Sequence, residues 1–232
     1  MQLKSIEKIT GKIIIKSGLR IGGSGNGMRI GGVDAPIIRN PSNDKPYIPG
    51  SSLKGKIRCL LEQLSGLSKD GNPLSLSQVS HDKFATAIVK IFGQSSGDKE
   101  VGQPTRVSFF DCDFNPEWLA QTEKDHKSIT EEKTEVAINR LSGIAQSSGP
   151  RQMERVVAGA EFDFTVTLKI YDNDDKQYLL NRLFQGMKLL ELDSLGSSGS
   201  RGYGKIKFAL SNPEHQQILD QFEENLNTVF VV

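Results

Sequence analysis

Gly50-Ser51-Ser52-Leu53-Lys54-Gly55-Lys56 is where the chain most nearly spells a phosphate cradle. It satisfies the GxxxxGK part of a nucleotide-binding loop, in which backbone amides surround phosphates and a following hydroxyl holds magnesium. That hydroxyl is missing, because Ile57 stands in its place, and Pro46 and Pro49 interrupt the strand that should lead in. An ATPase is therefore excluded. What survives is a helix N-terminus with free amides, the hydroxyls of Ser51 and Ser52, and Lys54 and Arg58 one turn apart. An ordinary capped helix with a basic exposed face reads equally well from composition. Gly196-Ser-Ser-Gly199-Ser-Arg201-Gly202-Tyr-Gly204 places four glycines in nine residues. It follows a helical pattern and precedes a strand, the reverse of a dinucleotide fingerprint. Such glycines let backbone amides approach a ligand, and Arg201 can grip phosphate oxygens with two donors; a flexible connection is the plainer alternative. Asp34 is the one acid between Glu7 and Asp44, in the basic stretch RIGGVDAPIIRN. It is either a salt-bridge partner or, beside RNA phosphates, a carboxylate for a hydrated Mg2+. His81, His126 and His215 all lie outside the glycine-rich stretches, so a two-histidine ribonuclease has no support.

These residues must be held by a sizeable fold. With 232 residues, 36% of them hydrophobic and 25% charged, the chain can bury a core without disulfides. No apolar run approaches the ~18 residues of a membrane span, and the N-terminus lacks the pattern of a secretory leader. Cys59 and Cys112 show no CxxC spacing and read as buried thiols of a cytoplasmic protein. Net charge is only +1, but residues 1–58 carry eleven Lys or Arg against three acids, and the remainder carries eighteen against twenty-five. A basic end of this kind raises the odds of a polyanion surface; a solvated basic face remains open.

Period changes mark the elements. Ile9, Ile13 and Ile15 predict a strand over 8–16. From Ser51 or Ser52 as N-cap, Leu53, Ile57, Leu60, Leu61 and Leu64 predict a helix. Residues 65–104 read as an insertion with a short helix through Phe84, Ile88, Ile91 and Phe92. RVSFFDCDF (106–114) reads as a second strand, and 154–171 as a long third one, with Phe162, Phe164, Val166, Leu168 and Ile170 alternating. A helix over 175–192, the strand KIKFAL, and a terminal helix over 213–227 on the sheet's outer side follow. The order is β-α-β-β-α-β, which predicts an α+β, ferredoxin-like arrangement shared by RNA-recognition domains. Residues 115–153 lack a steady period and read as a projecting insertion, with Arg140, Arg151 and Arg155 placed to wedge between bases and grip backbone. Surface solvation is the alternative for these arginines. The whole is one domain, 1–232.

Five blocks, SGLRIGGS (17–24), GGVDAPIIRN (31–40), PYIPGSSLKGKIR (46–58), INRLSGIA with PRQMERV (138–156), and GSRGYGKIKF (199–208), together resemble the RAMP superfamily, and in particular the backbone subunit of type III-A (Csm) CRISPR interference complexes. The resemblance runs over about 6–210. It implies a palm of ferredoxin-like (RNA-recognition-like) βαββαβ form, with an inserted lid and a thumb hairpin. It also implies assembly of identical copies into a filament with other subunits, holding guide RNA in a basic groove. Asp34 matches the family aspartate that promotes metal-dependent cleavage of complementary target RNA, by attack of the adjacent 2′-hydroxyl, once per subunit. By position, Arg20, Gly22, Gly23, Ser51, Ser52, Lys54, Arg58, Arg140, Arg151, Arg155, Gly199, Arg201, Gly202 and Gly204 would contact RNA, and Asp34 would serve Mg2+ or another divalent cation. Many relatives have histidine where Arg20 stands. A non-catalytic RNA-binding backbone subunit, the equivalent subunit of a type III-B (Cmr) complex, and a stand-alone guide-processing nuclease are the alternatives.

Overall fold

The protein is described by a computed structural model covering residues 1–23, 36–68, 71–79, 81–94, 103–146 and 149–224. Asp34 lies outside these residues, as do 147–148 of the 115–153 insertion and the end of the 213–227 helix.

Strand β1 (Leu3–Ile15) runs through the middle of a four-stranded antiparallel sheet. On one side it pairs with β5 (Glu161–Tyr171), with Ile9 opposite Val166 and Ile13 opposite Phe162. On the other it pairs with β6 (Ile206–Leu210), where Ile13 meets Phe208. The edge strand β2 (Val107–Phe109) completes the order β2-β5-β1-β6. Alternation sends Ile9, Ile13 and Ile15, together with Phe162, Phe164, Val166 and Leu168, to one buried face. Helices cover that face. In α1 (Gly50–Ser65) Leu53, Ile57 and Leu61 are fully buried, and α5 (Lys176–Leu192) buries the six apolar residues Leu179, Leu180, Leu183, Phe184, Met187 and Leu190. Burial on this scale contributes roughly 1.5–3 kcal/mol per large side chain, which fixes both helices on the sheet.

Several sequence expectations need correction. Residues 65–104 form α2 (Leu76–Val79) and α3 (Lys83–Phe92), and α3 sends Ile88, Ile91 and Phe92 into the main core, so part of the insertion belongs to the helical layer. The second strand is only three residues long. The third expected strand is two: β4 (Arg151–Val156) and β5, separated by a turn in which Gly159 has φ +86°. The turn preserves parity, so buried residues keep falling on even positions from Glu154 to Ile170 and the apolar pattern does not register the break.

Residues 115–153 hold a helix, α4 (Pro116–Lys124), and a strand, β3 (Thr130–Glu135), which pairs with β4 as a separate two-stranded sheet. The sequence did carry a signal for α4: Asn115 accepts the Trp118 N–H as N-cap, and Pro116 fills the first turn. The last helix, α6 (Pro213–Glu224), packs on α5 and β6 with Leu219 in the core, on the helical side rather than the outer side of the sheet. Cys112 is buried as expected, whereas Cys59 is exposed on α1.

Candidate nucleic-acid interface

The chain leaving β1 passes beside the glycine-rich loop that joins α5 to β6. Gly204 donates to the Gly18 carbonyl at 3.0 Å and accepts from Leu195 at 2.9 Å. Ser197 N–H donates to the Arg20 carbonyl at 2.9 Å, and Arg20 Nη1 donates to Ser197 Oγ at 2.8 Å. Arg20 and the loop predicted to bind phosphate are therefore neighbours although nearly 180 residues apart. Gly204, with φ +72°, lies so close to Leu195 that a Cβ would fall inside contact distance of its carbonyl oxygen. Gly202 and Arg201 are exposed, and Gly199 begins a single 3₁₀ turn ending at Arg201.

The β3–β4 hairpin packs against this loop with one face. Tyr203 is 1% exposed, with Lys133 Nζ 4.4 Å and the Arg155 guanidinium 4.9 Å from its ring centre. Its hydroxyl lies beside Glu135 without a hydrogen bond of normal geometry; burial first, then Glu135, pushes the phenol above its usual pKa. Arg20 Nε is likewise buried without a partner among the described residues. Two of the arginines expected to grip RNA are held by carboxylates of β3. Arg155 Nε meets Glu131 at 2.8 Å, and Arg201 Nη1 meets Glu135 at 3.3 Å. Arg140 and Arg151 are exposed. Arg140 sits in an ordered tip closed by pairing of Ile138 with Ala145, where Leu141 is 100% exposed.

The hairpin's other face meets a third segment. Glu154, on β4, is 9% exposed; one carboxylate oxygen accepts the Ile37 N–H at 3.1 Å and the other pairs with Arg39. Ile37 also pairs with Gly22, and Gly23 N–H donates to the Pro36 carbonyl at 3.4 Å. Val156 exchanges both backbone hydrogen bonds with Leu19. Sequence reasoning passed over Glu154, Glu135, Arg39 and Tyr203. Their signal was weak but present: Glu154 shares parity with buried Val156, and an acid on a buried face needs a partner.

The start of α1 is arranged differently from expectation. Pro49, not a serine, is the N-cap, and no side chain caps the helix. The Gly50 N–H is taken by Asp111 at 2.8 Å, so this amide is not open to phosphate. Ser51 is exposed and Ser52 half-buried in the first turn. Lys54 is half-buried with no ion pair among the described residues; burial, then the charge of Arg58, lowers its pKa. Arg58 is committed elsewhere, to Glu62 at 2.7 Å and the Leu74 carbonyl at 3.0 Å, and so ties α1 to the segment before α2. Lys56 reaches Asp193 at 2.6 Å, at the entry to the glycine loop. Of the α1 cations, Lys54 is the one without an ion pair among the described residues.

Among the described residues no three His, Cys, Asp or Glu lie close enough together to hold a metal ion. The described donors therefore do not build a metal site by themselves. Nor is any described helix long and apolar enough to cross a membrane.

Comparison with known proteins agrees with these blocks. The RAMP superfamily model matches residues 12–207. A Methanocaldococcus jannaschii protein named CRISPR system Cms endoribonuclease Csm3 is 44% identical over 211 residues, covering 90% of this chain and 80% of that protein. The Streptococcus thermophilus protein of the same name is 35% identical, covering 87% and 86%. Among solved structures, a Csm3–Csm4 subcomplex of the type III-A CRISPR-Cas interference complex contains a chain 31% identical, with TM-score 0.55 and 98% of each chain covered. Methanopyrus kandleri Csm3, 20% identical with TM-score 0.59, covers 90% of this chain and 76% of its own, and shares the fold. A mixed α+β chain with antiparallel sheets, matched by the family model over residues 12–207, belongs to the RAMP superfamily.

Proposed function

We propose that this chain is the guide-RNA-binding backbone subunit of a type III-A CRISPR effector complex and cleaves complementary target RNA at regular intervals. The observation that carries the reading is the convergence of four sequence blocks on one surface. Residues 16–23, residues 36–39, the glycine loop and the β3–β4 hairpin are joined by the Gly18–Gly204, Arg20–Ser197, Leu19–Val156 and Ile37–Glu154 hydrogen bonds. In this reading the order β2-β5-β1-β6 is the ferredoxin-like palm, β3–β4 and its tip are the thumb, and 65–104 is the lid insertion of a single domain.

Each residue then has a task. Lys54, Arg140, Arg151 and the exposed Arg201 meet RNA phosphates, while Arg20, Arg58 and Arg155 shape the surface from beneath. Ser51, Ser52 and the glycines Gly22, Gly23, Gly199, Gly202 and Gly204 let backbone and strand approach. Asp34 acts at the scissile phosphate: the 2′-hydroxyl of the preceding nucleotide attacks phosphorus, its proton is removed, and the 5′-oxygen leaves with a proton. Holding the target with that oxygen in line supplies much of the rate. A divalent cation such as Mg2+, held by Asp34 and RNA oxygens, would stabilise charge on the phosphate. Copies of the chain and other complex subunits complete the assembly, in a prokaryotic cytoplasm.

The test uses the assembled complex with matched target RNA, with and without chelator. A regular ladder of products that vanishes with chelator and with Asp34→Ala, while guide binding persists, is the expected result. Undiminished cutting by the Asp34→Ala complex refutes the assignment. A wild-type complex that binds target without any ladder makes the chain a structural subunit only.

A further inference from the structure

Strand β3 carries two carboxylates that meet arginines in unlike ways. Glu131 holds Arg155 tightly, with the carboxylate 2.8 Å from Nε. The same guanidinium lies 4.9 Å from the centre of the Tyr203 ring. It also covers Gly18 so closely that a Cβ there would overlap Arg155 Cδ and Nε. Three contacts fix this side chain, so Glu131 orients Arg155.

Glu135 holds Arg201 loosely. Its Oε2 meets Nη1 at 3.3 Å, while 63% of the Arg201 side chain stays exposed. An exposed pair of this length is easily broken. The other oxygen, Oε1, is buried, 4.0 Å from Lys133 Nζ and beside the Tyr203 hydroxyl. Lys133 is itself engaged, with the Arg201 carbonyl at 3.4 Å and the Tyr203 ring. Neither Oε1 nor the Tyr203 hydroxyl makes a hydrogen bond among the described residues. A buried acceptor and a buried donor therefore lie side by side unpaired, and a rearrangement that joins them is favourable.

Carboxylate and phosphate offer a guanidinium the same paired anionic oxygens. A cation already neutralised by its own chain adds little to phosphate binding, because it has few counterions to release. We propose that Glu135 is an internal competitor for the RNA phosphate at Arg201: in the free chain its carboxylate holds the guanidinium, and when a phosphate takes Arg201 the carboxylate turns to the Tyr203 hydroxyl. This rests on the reading of Arg201 as an RNA contact under Proposed function. Glu135 then limits how strongly the glycine loop grips a strand, and Tyr203 gives the displaced carboxylate a partner.

The test measures binding of a labelled, mixed-sequence single-stranded RNA to the full chain across a salt series, with the melting temperature of each variant. Glu135→Gln should bind roughly two- to fivefold more tightly. Its log affinity should fall with log salt more steeply by about 0.7, one added phosphate contact on a single strand. Tyr203→Phe removes the carboxylate's second partner and should bind roughly two- to tenfold more weakly, with no loss of melting temperature because the hydroxyl is unpaired in the free chain. Glu131→Gln also removes one acid from the hairpin but should leave the salt slope unchanged. Arg201→Ala should weaken binding, and in that background Glu135→Gln should lose its gain.

An unchanged or weaker affinity for Glu135→Gln overturns the proposal, as does an equal gain and slope change from Glu131→Gln, which is the signature of general charge removal. A Glu135→Gln gain that persists undiminished beside Arg201→Ala also overturns it. If Glu135→Gln does not fold, Tyr203→Phe decides, and unchanged RNA affinity there refutes the exchange. Arg201→Ala binding as tightly as wild type overturns the reading of Arg201 as an RNA contact, and the proposal with it; weakened binding by Arg201→Ala with no gain from Glu135→Gln overturns the competition alone.

Discussion

Two glycines two residues apart in the α5–β6 loop should respond very differently to the same substitution. Gly202 and Gly204 both have left-handed backbone, with φ +83° and +72°. Alanine at either position incurs the left-handed penalty of roughly 1–2 kcal/mol, partly offset by a stiffer unfolded chain. At Gly202 nothing lies within 4 Å of the added carbon, so the net cost should stay near 1 kcal/mol. At Gly204 the carbon falls against the Leu195 carbonyl oxygen and 3.0 Å from its carbon, and backbone cannot rotate away as a side chain can. The loop must shift, adding about 1–3 kcal/mol of overpacking.

For a chain of this length each kcal/mol is worth roughly 2–4 °C in Tm. Gly202→Ala should therefore melt about 2–4 °C below wild type and Gly204→Ala about 5–15 °C below, read by thermal unfolding of the purified chain. Because Gly204 donates to the Gly18 carbonyl, the shift also moves the Arg20 segment, and guide-RNA affinity should fall further for Gly204→Ala than for Gly202→Ala. Melting temperatures within about 2 °C of each other, or an equal loss of RNA affinity, would show that the loop does not hold residues 18–20 in the way its contacts indicate.

Lys54 and Arg58 are one turn apart on α1 and should separate cleanly. Lys54→Ala should weaken binding equally for all guide sequences and reduce the salt slope by about 1, with stability unchanged. Arg58→Ala should cost about 3 kcal/mol of stability, because it leaves the Glu62 charge, only 9% exposed, with no cation and only the Leu74 N–H to meet it; urea titration and salt-dependent RNA binding measure both. The cysteines give a pH-dependent check. Burial pushes the Cys112 thiol up to about 12, so in the folded chain a thiol reagent should label Cys59 alone, and Cys112 only after denaturation. A raised folded pKa favours the neutral thiol. Stability linked to Cys112 is therefore complete below pH 9, where the unfolded thiol is also protonated, and declines as pH rises from 9 toward 12. A flat stability profile over that range would contradict its burial.

Strong periodicity carried the sequence reading furthest. Apolar residues spaced for one face in α1 and α5 could only be helices against a core, and alternation in β1 and β5 could only be half-buried strands. Where the sequence misled, local pattern and chain direction parted company: the Gly159 turn keeps the parity of buried residues, so β4 and β5 looked like one strand. The N-cap of α1 was misread because serine propensity was outweighed by the Pro49 backbone and by Asp111, which arrives 61 residues later to take the Gly50 amide.

The residue types alone determined that the chain would carry glycine-lined, basic segments fit for phosphates, and the motif blocks fixed its family, because backbone approach demands glycine and phosphate binding demands cations wherever they sit in a fold. Which cations remain available was decided only by tertiary contacts. Arg155 looks like Lys54 in sequence, yet it is met by Glu131 from β3, and pairing between elements leaves no local trace, unlike the Arg58–Glu62 pair four residues apart within α1. Glu154 is the converse case: its task exists only because folding lays residues 37–39 across the hairpin, where a buried amide and an arginine require a partner of opposite charge.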